Sequence, residues 1–459
     1  MSIPAKDIFK AYDIRGIVGK NLTDEVVFQV GQALGAEART LGVKAIVIGR
    51  DGRHSGPAFA HALAQGIQST GTDVIDVGQV ATPITYFAAH YLDTGSAVMI
   101  TGSHNPPEYN GLKMMMAGET LAGERIQALW QAINAGNFPT GEGKYSQQNV
   151  VEAYLNRICE DIELARPMNI IVDAGNGVAG AFAPVLYRRL GCKVRELFCD
   201  VDGNFPNHHP DPAKPENLVD LIDALQKTDA EFGLAFDGDG DRLGVVTRSG
   251  QIIYPDRQMM LFAADVLERN PGAEIIFDVK STGLLAEWIK EYGGKPLMWR
   301  TGHSFMKAKL KETGAPLAGE MSGHIFFKER WYGFDDGIYA GARLLEILSK
   351  VEDPSTLLEA LPIRPSTPEL HLQCAKEGDQ HALIDTLGKV ATFKGATEVI
   401  RIDGLRVEYA DGFGLARASN TTPVVVFRFE GKDDAALARI QHEFRTELHK
   451  VNPALVLPF

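Results

Sequence analysis

Short apolar runs and longer amphipathic stretches alternate along most of this chain. A helix is predicted from Asp24 to Leu41, followed by a strand from Lys44 to Ile48 that runs into Gly49-Arg50-Asp51-Gly52-Arg53. A helix from about Pro57 to Ser69, a strand from Asp73 to Val77, a helix from Pro83 and a strand from Ala97 continue the alternation. Apolar strands separated by helices read as βαβ units with a largely parallel sheet.

The outline recurs twice. Strands at Asn169 to Val172 and Glu274 to Phe277 end at Asp173 and Asp278, as the first ends at Asp51. Strands from Lys193 to Phe198 and Lys295 to Trp299 follow, with later strands running into Asp237 and Glu320. This predicts a triplicated module whose three equivalent loops, at Ser103, Asp237 and Glu320, meet in one cleft. After about residue 363 the pattern changes. Pro362, Pro365 and Pro368 mark a linker, and short strands (Val399 to Ile402, Val424 to Phe429) with a closing helix from about Asp433 to Lys450 read as a small α+β domain.

Length and charge narrow the function. With 459 residues the chain exceeds one ordinary core, and 45% apolar with 23% charged residues describes a globular protein. A formal net charge of -13 argues against nucleic acid as partner. A small anionic substrate would need a local cationic pocket. No apolar run approaches a membrane span and the first residues lack a signal-peptide core, so the cytoplasm is expected. Cys159, Cys192, Cys199 and Cys374 form no close pair and are expected to be reduced.

Candidate chemistry lies where strands end. The strand from Ala97 runs into Thr101-Gly102-Ser103-His104-Asn105-Pro106-Pro107, which presents a hydroxyl before two prolines that stop ladder pairing. Ser103 is a candidate nucleophile, and a plain turn is the alternative. Adjacent side chains on an extended segment point apart, so Ser103 and His104 are not expected to form a hydrolase dyad. An Asn110-Gly111 turn is expected to bring Lys113 back towards the hydroxyl. His208 and His209, adjacent in a Pro-rich loop, read as surface residues.

Asp237-Gly-Asp239-Gly-Asp241-Arg242 places three carboxylates at alternate positions and gives a set of hard oxygen ligands. Arg242 and Arg248 stand where an EF-hand needs Gly and Glu, so Mg²⁺ suits the loop better than Ca²⁺. The alternative is an acidic turn. If extended, Glu320, Ser322 and His324 share a face suited to a polyhydroxyl ligand. Arg417-Ala-Ser419-Asn420-Thr421-Thr422-Pro423 offers a guanidinium, hydroxyls and an amide to a phosphate, and Thr301-Gly302-His303-Ser304 opens a helix that could receive an anion. Gly175 to Gly180 passes a dinucleotide test, with Asp200 at ribose distance, but the glycines are better explained by a tight turn and close helix packing.

Together these stretches, with Lys10-Ala-Tyr12-Asp-Ile-Arg15-Gly16, resemble the α-D-phosphohexomutase superfamily and, within it, the bacterial phosphomannomutase/phosphoglucomutase group. The resemblance implies three similar mixed/parallel-sheet α/β domains and a mobile C-terminal α+β domain, heart-shaped around a central cleft, at residues 1–148, 149–251, 252–363 and 364–459. It implies reversible interconversion of hexose 1-phosphate and hexose 6-phosphate, of mannose, glucose or both; a monomer is expected. Ser103 would be carried as phosphoserine, Mg²⁺ would bind between it and Asp237, Asp239 and Asp241, and hexose 1,6-bisphosphate would be intermediate and activator.

By the same resemblance Glu320 and Ser322 hold sugar hydroxyls, and Arg417, Ser419, Asn420, Thr421 and Thr422 hold the phosphate not being transferred. Tyr12, Arg15, Arg242, Lys280, His303 and His324 line the pocket, with Lys113, His324 and His303 as candidates for moving the hydroxyl proton. Ser419-Asn-Thr-Thr-Pro423 departs from the Ser-Gly-Thr-Glu-Pro loop usual in phosphoglucosamine mutases, which favours a hexose phosphate. A metal-dependent phosphatase and an NAD-dependent oxidoreductase are the readings of other classes.

Overall fold

The computed structural model describes residues 3–459. Three sheets share one strand order. Strand Asp73–Gln79 pairs in parallel with Ala45–Arg50, which pairs in parallel with Ala97–Ile100, and antiparallel Tyr109–Met116 follows. The same sequence of pairings is made by Lys193–Leu197, Asn169–Asp173, Phe232–Phe236 and Leu243–Thr247. It is made again by Lys295–Trp299, Glu274–Asp278, Leu317–Gly319 and Ile325–Phe327. Asp51, Asp173 and Asp278 stand at the carboxyl ends of equivalent strands, and Ser103, Asp237 and Glu320 in equivalent loops. This is the triplication the sequence suggested.

The central strands are buried along their whole length, as in Ala97–Ile100 and Phe232–Phe236, because helices cover both faces of a parallel sheet. One apolar cluster runs from Val47 through Phe87, Tyr154, Phe236 and Trp331 to Leu361 and so binds all three units. The C-terminal unit differs. Its five strands pair antiparallel in the order Leu370–Gln373, Val424–Gly431, Gly412–Ala418, Leu405–Tyr409, Ala396–Ile400, against helices Asp379–Val390 and Asp434–Val451. Its core, centred on Phe427, Phe429 and Phe444, is separate.

The linker is anchored at both ends. Arg257 Nη2 donates to Leu361 O at 2.8 Å, while Thr367 N donates to Phe429 O and Gly431 N to Pro365 O, each at 2.9 Å. Residues 362–364 lie between those anchors. The segment from Pro365 already follows the C-terminal sheet.

Three local expectations are corrected. Asn110-Gly111 lies inside a strand, and the chain reverses earlier, over residues 101–108, because the two prolines there exclude ladder pairing. Gly319 to His324 is not extended. Glu320 N donates to His324 O at 2.9 Å across a tight turn that Gly323, at φ 102°, permits. His208 and His209 are half-buried and bonded rather than free at the surface, because their loop packs against the Asp173 and Ser103 loops.

Candidate active site

Ser103, Asp237 and Glu320 each stand just beyond the carboxyl end of a strand, where the backbone leaves the sheet and polar groups can converge. Ser103 is buried at 2% exposure and adopts φ 49°, a left-handed conformation uncommon for a residue with a Cβ. Thr101 Oγ1 accepts from Ser103 N at 2.7 Å and donates to Asp51 Oδ2 at 2.7 Å, which ties the loop to the strand beneath it. Ser103 Oγ donates to Asp237 Oδ2 at 3.1 Å. Its Oγ also lies 3.3 Å from His104 Nδ1, so the two side chains do not point apart. The left-handed serine breaks the alternation on which that expectation rested. Burial and surrounding cations, Arg242 and Arg15 foremost, hold His104 well below the ordinary imidazole pKa.

Asp237, Asp239 and Asp241 are fully buried, and one carboxylate oxygen from each falls within 4.8 Å of the others. Asp237 Oδ1 accepts from Gly240 N at 3.1 Å and Arg242 N at 3.2 Å, which curls the loop around its own carboxylates. Lys113 Nζ donates to Asp239 Oδ2 at 2.7 Å and Asp241 Oδ2 at 2.5 Å. Burial alone would lower the lysine pKa, but these carboxylates outweigh it and hold the ammonium charged. Asp239 Oδ1 remains buried without a hydrogen-bond partner, and Asp241 Oδ1 has only His324 Nε2 at 3.4 Å. An unmet buried oxygen in an all-carboxylate set, beside a hydroxyl, suits a hard divalent cation.

The third loop closes on the second. Arg242 Nε donates to His324 Nε2 at 3.2 Å, and His324 Nδ1 lies 3.1 Å from Glu320 Oε2 and 3.0 Å from Ser322 Oγ. Glu320 Oε1 accepts from Gly302 N at 2.5 Å, which brings the His303 helix against the same group. His303 Nδ1 lies 3.5 Å from Asp335 Oδ2. Burial, with Lys307 and Lys113 near it, keeps His303 well below the ordinary imidazole pKa and so neutral.

The C-terminal loop reaches the same place through Tyr12 and Asp403. Asn420 Nδ2 donates to Tyr12 Oη at 2.7 Å, and the Tyr12 ring meets Phe305 edge-on at 5.4 Å. Asp403 Oδ2 accepts from Arg417 Nε at 3.0 Å and Thr301 N at 2.9 Å. Ser419 Oγ receives the amides of Thr421 and Thr422, both at 3.3 Å, and lies 3.0 Å from Thr422 Oγ1. Arg15 Nη1 donates to Gly102 O at 2.8 Å and to Asn105 Oδ1, while Arg15 Nη2 donates to Asp13. Lys280 Nζ donates to Glu369 Oε1 at 2.6 Å. Asp403, Glu369 and Asp335 were not singled out from sequence. Isolated carboxylates carry no spacing signal, and only the fold pairs them with cations distant in sequence.

The glycines that mimic a dinucleotide loop serve packing. A Cβ on Gly177 would stand 3.0 Å from both Asp237 O and Gly238 Cα, and one on Gly180 would stand 2.3 Å from Cys199 O. Among the described residues, no helix is long and apolar enough to cross a membrane.

Four family profiles match in order. They are phosphoglucomutase/phosphomannomutase alpha/beta/alpha domain I over residues 6–140, domain II over 152–250, domain III over 254–364, and the C-terminal domain over 346–447. A phosphoglucomutase of Neisseria meningitidis serogroup B is 60% identical over 460 residues, covering 100% of both chains. A phosphomannomutase/phosphoglucomutase of Pseudomonas aeruginosa is 54% identical, covering 100% of this chain and 98% of its own. The crystal structure of a phosphoglucomutase/phosphomannomutase family protein from Burkholderia thailandensis superposes with a TM-score of 0.95 at 60% identity, covering 99% of this chain and 100% of that one. Sequence order, sheet topology and the convergent loops therefore agree with these likenesses, and the chain belongs to the phosphoglucomutase/phosphomannomutase family.

Proposed function

We propose that this chain interconverts hexose 1-phosphates and hexose 6-phosphates, of glucose or mannose, by carrying a phosphoryl group on Ser103. The observation that carries this reading is the placement of a buried serine hydroxyl 3.1 Å from the first carboxylate of the Asp237-Asp239-Asp241 set, with Lys113 and Arg242 closing round that set. Phosphoryl transfer needs little covalent help from a protein. It needs oxygens held in line and charge neutralised.

In the forward step the 6-hydroxyl oxygen of a 1-phosphosugar bonds to the phosphorus as the bond from phosphorus to Ser103 Oγ breaks. The hydroxyl proton passes to a nearby base, and the product is the 1,6-bisphosphate. That intermediate turns over within the site and returns its 1-phosphoryl group to Ser103, leaving the 6-phosphate. Neutral His303 is suited to accept a proton, Lys113, already charged, to donate one, and His324 is the other candidate for moving it. Glu320 and Ser322 would hold sugar hydroxyls. Arg417, Ser419, Asn420, Thr421 and Thr422 would hold whichever phosphate is idle, with Tyr12, Arg15, Arg242 and Lys280 completing the cationic lining.

Asp237, Asp239, Asp241 and Ser103 would hold Mg²⁺, which supplies charge neutralisation at the transferring group when bound. The C-terminal unit would turn about residues 362–364, between its two anchors, to close over the sugar and exclude water.

Intact-mass measurement tests the reading. Purified protein is expected to carry one phosphoryl group that is absent in Ser103→Ala, and that variant is expected to lose turnover of glucose 1-phosphate to glucose 6-phosphate. Active protein without the group, or inorganic phosphate as the main product, would overturn it.

A further inference from the structure

Arg53 lies two residues beyond the Asp51 position, with its side chain 1% exposed. A guanidinium has five N–H donors, and a buried one is stable only when they are met. All five are met here. Nε donates to Asp51 Oδ2 at 3.2 Å. Nη1 donates to Pro106 O at 2.6 Å and Tyr109 O at 2.9 Å, and Nη2 to Asn105 O at 2.6 Å and Ser103 O at 2.9 Å. Three of the five acceptors are backbone carbonyls of the loop that carries Ser103, and a fourth is the carbonyl of Tyr109, which opens the strand after it.

Packing fixes the group further. A Cβ on Gly102 would stand 2.3 Å from Arg53 Cζ, so the loop lies directly on the guanidinium. The ring of Phe205, from the second unit, stands 5.2 Å from Cζ. A Cβ on Gly203 would stand 2.9 Å from Arg53 Cα, so the Phe205 loop is pressed onto the same residue. Ser103 meanwhile adopts φ 49°, a conformation that persists only where its surroundings dictate it.

We infer that Arg53 is the positioning residue of the serine loop: by gathering the carbonyls of Ser103, Asn105, Pro106 and Tyr109 it returns Ser103 Oγ to one place after every transfer. This rests on Ser103 as the phosphoryl carrier. With all five donors engaged within the protein, Arg53 has none left for sugar or phosphate, so its effect falls on the reacting geometry and not on substrate affinity. A misplacement of about 1 Å costs on the order of 10²-fold in rate. Lysine cannot substitute, because three donors on a point charge do not span four carbonyls. A loosened loop also lets water replace the sugar hydroxyl, so that the water oxygen bonds to phosphorus as the bond to Ser103 Oγ breaks, the water proton passes to Ser103 Oγ and inorganic phosphate leaves.

The test pairs Arg53→Lys with Phe205→Leu, which keeps the guanidinium but removes its aromatic neighbour. Arg53→Lys is expected to lower kcat about 10²-fold with KM within about twofold, and to raise the inorganic phosphate released per sugar phosphate isomerised. Phe205→Leu is expected to move the same two quantities in the same direction by severalfold. If Arg53→Lys fails to fold, Phe205→Leu decides. A kcat within twofold of wild type and unchanged phosphate release in the folded variants would overturn the inference, as would a rise in KM alone. Failure of the carrier reading itself shows elsewhere, as a phosphoryl group that survives Ser103→Ala.

Discussion

The first three units and the C-terminal unit are joined to their neighbours in different proportions of apolar and polar contact. Among the first three one continuous apolar cluster forms the joint, with polar contacts set into it: Phe87 of the first meets Tyr154 of the second at 5.5 Å and Trp331 of the third at 6.2 Å, and Tyr154 Oη donates to Asp336 Oδ1 at 2.9 Å. At the C-terminal unit the apolar contact shrinks to Val279, Phe413 and Leu415. The rest of that boundary is polar. Arg406 Nη1 donates to Val279 O at 2.7 Å and Ser281 O at 2.6 Å, Arg428 Nη1 to Asp256 Oδ2 at 3.1 Å and to Lys280 O, and Gly283 N to Glu430 Oε1 at 3.1 Å.

Apolar burial is non-directional and continuous, so separating those faces exposes surface everywhere at once. Hydrogen bonds across a polar boundary can be exchanged for water one by one, at a net cost of about 0.5–1.5 kcal/mol each. On the proposed reading, the first kind of joint holds Ser103 and the Asp loop in register, and the second lets the C-terminal unit open.

The largest expected effect comes from the apolar joint. Phe87→Ala leaves a hole between three units and is expected to cost about 3–5 kcal/mol of stability. Urea unfolding followed by tryptophan fluorescence, with Trp331 beside the hole, should show one transition at a lower midpoint, while KM of the folded protein stays within about twofold. A separate early transition of the first unit alone would show that the three are not one body.

Arg406→Met tests the other side with a smaller effect. It keeps the apolar stem over Phe413, where the guanidinium carbon now lies 3.7 Å from the ring, but strips Val279 O and Ser281 O of their donor. An unmet buried carbonyl costs about 1–3 kcal/mol, so KM for the sugar phosphate is expected to rise about tenfold as the C-terminal unit spends more time open. Small-angle scattering of the unliganded protein should show a larger radius, with the urea midpoint near that of wild type. A lowered midpoint with unchanged KM would mean that this boundary is structural after all.

The two regions were also unequally legible in the sequence. Strand ends in the first three units announce themselves because a buried apolar run stops at a polar residue, and the strand predicted at Lys295 to Trp299 appears with those limits. Ser103, the Asp triplet and Glu320 were legible because each is local. In the C-terminal unit, strands Leu405–Tyr409 and Gly412–Ala418 were not singled out, for their buried positions include Arg406, Arg417 and glycines, which blur the alternation. What sequence could not supply was contact across distance: Asp403 under Arg417 and Thr301, and Glu369 on Lys280. The His104 geometry was hidden for a different reason, since a single left-handed residue reverses the expected side-chain directions.

The smallest expected effect lies in a polar contact within the three-unit body. His208 Nε2 stands 3.0 Å from Asp173 Oδ1, and its neighbour His209 bonds His104 O in the serine loop. Burial alone would lower the His208 pKa, but the hydrogen bond and charge of Asp173 outweigh it and raise it above the ordinary 6.5. A raised folded pKa means that folding favours the protonated ring. The stabilisation is complete below pH 6.5 and is lost as pH rises through the higher folded value. A neutral ring keeps a plain hydrogen bond in place of a charge-assisted one, a difference of ~1 kcal/mol. Hydrogen exchange in residues 199–217, corrected for intrinsic pH dependence, is therefore expected to lose about fivefold in protection between pH 6 and pH 8, and His208→Gln to remove that dependence. A pH-independent loop in the wild type would show that this contact is as rigid as the apolar joint around it.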